Sequence, residues 1–275
     1  MVANKFAIAL FVLGSCTLTA SILANVVLFQ LSSSYYRELN ATRLDPFGLR
    51  VYNSQGLTPE THQVQTSQTS QTQTSQTRTI FWGDSRAFAW TPPPGLPEFE
   101  FINRGIGSQT TAQVLGRFEG QIAPLLPSTE TRARGTDKPG AIAIVQVGVN
   151  DLKTIPLFPK LKSEIIANCQ ANIKEIVDLV QESESTVILT TIFPLGRLPI
   201  QRRLVWSPEV ATAIEEVNEF IASLAGERVI ILNTAAILAG EEGLVKPEYR
   251  HDFLHINEAG YAALNEKLKL VLQEL

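Results

Sequence analysis

The sequence predicts an α/β protein: a three-layer α/β/α sandwich with a five-stranded, mostly parallel sheet, preceded by an N-terminal transmembrane helix. Short apolar runs rich in β-branched residues alternate with helical patterns along most of the chain, which is typical of a parallel sheet covered by helices on both faces. A long uncharged run near the N-terminus and a repetitive polar segment after it indicate the remaining organisation. The chain has 275 residues, enough for one or two domains.

Five apolar runs are predicted to be strands, and four longer segments are predicted to be helices. The strands are residues 80–82, 99–103, 141–147, 186–192 and 228–232. The helices are residues 110–126, 161–180, a third that opens at Ser207 and Pro208, and 257–272. The helix at 161–180 is the clearest, since its apolar residues recur at helical spacing along one face. Residues 79–275 are therefore predicted to form one domain.

The N-terminal segment, residues 1–31, is predicted to be a membrane anchor. Residues 6–31 carry no charge, and roughly 20 apolar residues suffice to span a bilayer. Lys5 precedes the run, so the positive-inside bias places the N-terminus in the cytoplasm and the main domain in the periplasm or at the cell surface. Two alternatives stay open: a cleaved signal peptide, which would make the protein secreted, and lipoprotein processing at Cys16.

Residues 32–78 are predicted to join the anchor to the domain. Residues 61–79 repeat Gln-Thr-Ser units and lack the apolar side chains that offset ordering entropy, so we expect a disordered tether there. Residues 128–140 are expected to be a surface loop. The net charge of −4 gives no sign of a nucleic-acid-binding surface, and neither Cys16 nor Cys169 belongs to a zinc-type cluster. No metal or organic cofactor is expected.

Polar residues follow three of the predicted strands, where ligands of a parallel sheet usually bind. Gly83-Asp84-Ser85 follows the first strand, a glycine-rich stretch at 103–110 follows the second, and Asn150 follows the third. Asp252 and His255 lie just before the last helix. A hydroxyl, a glycine-rich turn, an amide and a carboxylate close to an imidazole are the groups that a hydrolase needs.

These four stretches, in this order, resemble the sequence blocks of the SGNH (GDSL-type) hydrolase family, and the resemblance covers essentially all of residues 79–275. It implies a flavodoxin-like fold and a serine ester hydrolase of the esterase, lipase or deacetylase type, with an acyl-enzyme intermediate and no metal. In this sequence Ser85 matches the nucleophile, His255 the general base, and Asp252 the carboxylate that orients the imidazole.

The resemblance also implies an oxyanion hole built from the Asn150 amide, the backbone N–H of Ser85 and a backbone N–H of the second block. That last position is usually glycine in the family but is Ser108 here. We expect the backbone N–H of a serine to remain directed at the oxyanion only if the φ of that residue stays negative. If the register shifts by one residue, Gly107 donates instead. Arg86 stands where leucine is usual, and we expect it to pair with a carboxylate at the surface rather than to bind an anionic substrate group.

The sequence fits two other functional motifs less well. A G-x-S-x-G nucleophile elbow lacks its second glycine here, and a dinucleotide-binding fingerprint lacks its third. A catalytically inactive SGNH-fold module that binds polysaccharide stays open, and the departure at Ser108 favours it. The expected partners are an acyl ester substrate, with acetylated cell-surface carbohydrate as the candidate that a membrane location suggests, and the membrane itself.

Overall fold

The computed structural model describes residues 2–46, 76–127, 140–203 and 206–275. The strands in these ranges are β1 Thr77–Gly83, β2 Phe99–Gly105, β3 Ile142–Gln146, β4 Thr186–Thr190 and β5 Val229–Leu232. The α-helices are α1 Val2–Leu44, α2 Ser85–Phe88, α3 Thr111–Leu115, α4 Val149–Leu152, α5 Lys162–Glu182, α6 Glu209–Ser223, α7 Thr234–Leu238 and α8 Glu258–Gln273.

All five strands are parallel and form one sheet in the order β2-β1-β3-β4-β5. Gly83, the last residue of β1, pairs with Gly105 of β2 and with Gln146 of β3. The carboxyl ends of these three adjacent strands are therefore level, and the segments that follow them emerge at one edge of the sheet.

Helices cover both faces of the sheet, which confirms the predicted three-layer sandwich. Ile80 and Trp82 of β1 belong to the hydrophobic core on the side of α5 and α6, whereas Phe81 between them belongs to the core on the side of α8. This alternation follows from the two-residue period of a strand. Every residue of the central strand β3 is buried, as a strand with helices on both sides requires.

The predicted strands are all present, but the predicted helix at residues 110–126 is wrong in its length. Only α3 is α-helical there, and it is followed by a π-helical segment, Phe118–Ile122, and a 3₁₀ turn, Ala123–Leu125. Gly116 ends α3, where the conformational freedom of glycine weakens a helix. Pro124 lacks the N–H that a continued helix would need.

The N-terminal helix α1 is longer than the uncharged run at residues 6–31 that predicted it. It continues to Leu44 through a mostly polar stretch in which only about half of the residues, such as Arg37, Glu38 and Ala41, are good helix formers. Large apolar side chains such as Phe11, Leu18 and Phe29 are exposed along it. The part Leu10–Leu44 is long and apolar enough to cross a membrane, a test that an N-terminal signal sequence also passes.

The C-terminal end of α1 packs on the α/β domain. Leu44 belongs to the core beside α3, and Asn40 and Asp45 are buried. The Thr110 hydroxyl donates to the carbonyl oxygen of Arg43, which joins this end to the residue that caps α3. The helix end is thus held next to the segment that follows β2.

Parts of the predicted linker and loop lie outside the described residues. These are residues 47–75 of the predicted linker, which include residues 61–75 of the expected tether, and residues 128–139 of the expected surface loop. The last residues of the expected tether, 77–79, already belong to β1.

Candidate active site

The turn after β1 places Ser85 at the carboxyl edge of the sheet. A Cβ at Gly83 would lie 1.8 Å from the Gln146 carbonyl oxygen, so only glycine fits at the end of β1. Ser85 is the first residue of α2, and the Asp84 carboxylate caps that helix by accepting from the Arg86 backbone N–H at 2.8 Å. Burial raises the pKa of Asp84, and the nearby Arg86 guanidinium acts against this shift.

Ser85, His255 and Asp252 form one hydrogen-bonded array, called the Ser–His–Asp array below. Ser85 Oγ lies 3.1 Å from His255 Nε2, and His255 Nδ1 lies 2.9 Å from Asp252 Oδ2. The imidazole and carboxylate remain partly accessible, with 36% and 45% of their side-chain surfaces exposed. The structure therefore brings together the three residues that the sequence analysis placed in one site.

The carboxylate of Asp252 is fixed by more than the imidazole. Its Oδ1 accepts from the backbone N–H groups of Leu254 and His255, at 2.6 and 2.8 Å. Partial burial would raise the pKa of Asp252, but the hydrogen bonds from the His255 side chain and from both backbone N–H groups outweigh it and hold the pKa below its usual value. Asp252 is therefore held as an ionised acceptor facing His255.

The loop after β2 passes beside Ser85. A Cβ added at Gly107 would lie 4.0 Å from the Ser85 Cβ. Ser108 has a φ of 66°, so the negative φ on which the sequence analysis made its donor role depend is not found. A serine can occupy this left-handed region at a cost of roughly 1–2 kcal/mol. Across the described ranges, the backbone N–H groups of Ser85, Gly107 and Ser108 donate to no protein acceptor.

Asn150 lies on α4, directly after β3, and is 4% exposed. Its Nδ2 donates to the Gln109 carbonyl oxygen at 2.9 Å and, over a longer 3.3 Å, to Asp84 Oδ2. Its Oδ1 accepts from Lys153 Nζ at 2.5 Å. The amide is thus held between the loop after β2 and the turn after β1, with its more weakly bound N–H directed at Asp84.

The side chain of Arg86 does not lie at the surface, where the sequence analysis expected it to pair with a carboxylate. The side chain is fully buried and is neither paired at the surface nor open to a substrate. Its Nε donates to the Leu254 carbonyl oxygen at 2.9 Å, and its Nη1 donates to the Phe193 carbonyl oxygen at 3.4 Å. The Tyr261 hydroxyl donates to the backbone carbonyl of Arg86 at 2.9 Å. Arg86 therefore joins α2 to the loop that carries His255.

Two residues of the site were missed or misjudged from the sequence. Lys153 was not considered, although its spacing of three residues from Asn150 on a helical turn was a usable signal. The role of Asp151 was missed too: it is buried and accepts from the Thr111 hydroxyl at 2.6 Å and the Thr111 backbone N–H at 2.9 Å. It ties α4 to α3 and so fixes Asn150 relative to the loop before α3.

Comparison with known proteins agrees with this architecture. The model of the GDSL-like Lipase/Acylhydrolase family matches residues 75–263, more than half of the chain. A GDSL-like lipase from Bacteroides thetaiotaomicron is similar in structure, with 22% identity and a TM-score of 0.54 over 72% of this chain and 88% of its own.

Two further solved structures share the fold. An acetyl xylan esterase has 18% identity and a TM-score of 0.53 over 71% of this chain and 99% of its own. A lipase from a goat rumen metagenome has 19% identity and a TM-score of 0.51 over 72% and 97%. No curated protein gives a significant match. Since the family model spans nearly all of the α/β domain, the chain belongs to the GDSL-like lipase/acylhydrolase family and is an ester-hydrolysing enzyme.

Proposed function

We propose that the protein is a serine esterase in which Ser85 is the nucleophile, His255 the general base, and Asp252 the residue that orients His255. The observation that carries the proposal is the Ser–His–Asp array, with its 3.1 and 2.9 Å contacts at the carboxyl edge of the sheet. A nucleophile within hydrogen-bond reach of a base, itself oriented by a third group, is the arrangement that activates a serine hydroxyl.

In the proposed reaction, Ser85 Oγ attacks the ester carbonyl carbon while its proton passes to His255 Nε2. His255 then gives this proton to the departing alcohol oxygen, and the acyl group remains on Ser85. A water molecule attacks the acyl-enzyme, with His255 taking its proton and returning a proton to Ser85 as the acid leaves. Asp252 accepts from Nδ1–H throughout and stabilises the imidazolium that forms in each half-reaction.

The proposed oxyanion hole combines backbone and side-chain donors. The backbone N–H groups of Ser85 and Ser108 are free of protein acceptors in the described chain, and Ser108 lies on the loop that passes beside Ser85. Gly107 is the alternative loop donor. Asn150 completes the site if its weaker hydrogen bond to Asp84 is exchanged for one to the developing oxyanion. The Lys153 ammonium on Asn150 Oδ1 would make that amide N–H a stronger donor.

The proposed substrate is an acyl ester on carbohydrate, with the domain held at a membrane by α1 on the outer side. The apolar composition of α1 supports the anchor, and Lys5 before the apolar run supports the orientation. A solved structure of similar fold is named an acetyl xylan esterase, which makes acetylated sugars the first class to test.

The test is hydrolysis of p-nitrophenyl acetate by the full-length protein in a neutral detergent, followed by a panel of acyl chain lengths and acetylated sugars. Turnover that disappears in Ser85→Ala supports the esterase. Turnover that survives this substitution contradicts it. A folded protein without turnover on any ester would favour the alternative, an inactive module that binds polysaccharide.

A further inference from the structure

An open groove of about 450 Å³ lies on the Asp252 side of the Ser–His–Asp array. Its wall includes three arginines, Arg197, Arg203 and Arg250, together with Asp252 and the apolar side chains of Ile200 and Phe253. We call it the arginine groove. It adjoins the array, because Asp252, whose carboxylate faces His255, is one of its lining residues.

The described residues do not neutralise the positive charge in this groove. The side chains of Arg203 and Arg250 are exposed and have no acidic or hydrogen-bond partner among the described residues. Arg197 meets Glu242 at 3.5 Å, but both side chains are about 70% exposed, and such a pair is weak in water. Asp252 is already bound by the imidazole and by two backbone N–H groups.

The local excess of positive charge contrasts with the chain as a whole, whose net charge is −4. These arginines also have no evident part in the fold. Arg202 next to them does, since its guanidinium lies 4.6 Å from the centre of the Phe253 ring. Arg203 and Arg250 make no comparable contact in the described structure, so their charges remain available to a ligand.

The guanidinium group is suited to carboxylate and phosphate oxygens, because its donors match their geometry in pairs. We propose that the arginine groove binds a carboxylate or phosphate group carried by the ester substrate while Ser85 attacks the ester. The apolar side chain of Ile200, which is 76% exposed, offers a surface for the part of the substrate between ester and anion. This inference rests on the proposed esterase function and specifies its substrate class.

The test compares charged and neutral esters on the full-length protein in a neutral detergent. The probes are acetate esters of ω-hydroxy carboxylic acids of increasing chain length, which vary the distance between ester and carboxylate, and the matching primary amides, which lack the charge. Acetate release gives kcat and KM for each probe. The variants are Arg203→Gln and Arg250→Gln, singly and together, and the control is Lys267→Gln, which removes an exposed charge on α8 outside the groove.

For at least one chain length we expect kcat/KM to be roughly tenfold higher for the carboxylate than for its amide, mainly through KM, as one screened charge contact allows. The double variant should bring this ratio close to one without changing kcat/KM for the amide. Lys267→Gln should keep the preference. Added salt should shrink the preference in the unsubstituted protein, because the groove is open to solvent.

A ratio near one at every chain length, or a preference that survives in the double variant, would overturn the proposal while leaving the esterase function intact, since the amide probes would still be hydrolysed. Loss of Ser85-dependent hydrolysis for all probes would instead remove the esterase function itself, and this inference with it. If the double variant weakened binding to phosphatidylglycerol vesicles but kept the carboxylate preference, the groove would be a lipid contact and the proposal would be wrong.

Discussion

Arg86 Nε lies 2.9 Å from the carbonyl oxygen of Leu254, so the residue after the proposed nucleophile holds the residue before the proposed base. The guanidinium also lies 5.0 Å from the centre of the Phe193 ring. Burial lowers the pKa of Arg86, and the charge of Asp84 acts in the opposite direction. Two segments that are far apart in the sequence are thus joined inside the domain, directly behind the Ser–His–Asp array.

Replacing this arginine should damage both stability and activity. Arg86→Leu would leave the carbonyls of Leu254 and Phe193 without their donor and would remove the positive charge that most favours ionised Asp84 in its buried position. We expect the free energy of unfolding to fall by about 2–4 kcal/mol, measured by urea titration. We also expect kcat to fall by roughly tenfold at temperatures where the variant remains folded, because a small displacement of His255 weakens proton transfer.

The matched control is Arg228→Leu, at a half-buried arginine just before β5, at the opposite end of the strands from the site. It should leave kcat unchanged. If Arg86→Leu were as stable and as active as this control, the buried arginine would have no part in holding the His255 loop.

Asn150 tests the proposed oxyanion hole. Asn150→Ala should lower kcat by roughly 10²–10³ if the amide donates to the transition state. Lys153→Met should cost less, because the Asn150 amide would keep its N–H donors and lose only the ammonium on Oδ1. Steady-state kinetics with p-nitrophenyl acetate measures both, and circular dichroism checks that each variant is folded. A loss of less than about threefold in Asn150→Ala would remove Asn150 from this role.

The left-handed backbone at Ser108 gives a second test. Ser108→Gly should keep kcat within about twofold, because glycine adopts a φ of 66° without strain and leaves the N–H in place. Ser108→Val should lower kcat by more than this, since a β-branched residue opposes a positive φ and would displace the backbone N–H of this position. Equal kcat values in the two variants would show that the N–H of Ser108 is not used, and Gly107 would become the donor to examine.

The buried carboxyl group of Asp151 should make stability depend on pH. Burial raises its pKa from 3.8 to about 6, against the hydrogen bonds from Thr111. Between about pH 4 and pH 6 the folded protein therefore holds a proton that the unfolded chain has lost, so the stabilisation present below pH 4 disappears as the pH rises through 6.

Relative to Asp151→Asn, the protein should lose roughly 3 kcal/mol of unfolding free energy between pH 4 and pH 7, which is the size of the pKa shift converted to free energy. Urea titrations of both proteins across this range measure the difference. Parallel stability curves would show that Asp151 has an ordinary pKa in the folded protein.

The fold was predictable because its strands leave a strong pattern in the sequence. Five apolar runs with helical patterns between them indicate a parallel sheet, and the level ends of β1, β2 and β3 then bring their loops together. The same reasoning placed Ser85 and Asn150 at one edge. Pairing His255 with Asp252 came from their spacing and from the family resemblance, and the structure places His255 against Ser85 and Asp252 against His255.

The contacts behind the site were not predictable, because they depend on side-chain paths across the domain. Nothing in the sequence around Arg86 shows that it reaches the carbonyl of Leu254 rather than solvent. The length of the helix expected at 110–126 was wrong because its apolar residues are compatible with α-helical, π-helical and 3₁₀ turns alike. Glycine and proline decide where the α-helix stops. The extension of α1 to Leu44 was missed because its last turns are stabilised by contacts with the domain rather than by an apolar period of their own.

The proposed covalent step can be measured directly by mass spectrometry of the full-length protein after treatment with a fluorophosphonate, which reacts with activated serine hydroxyls. We expect one phosphonate adduct, located on Ser85, that is absent in Ser85→Ala and forms much more slowly in His255→Ala. A folded protein that gained no adduct, or an adduct on a serine other than Ser85, would contradict it.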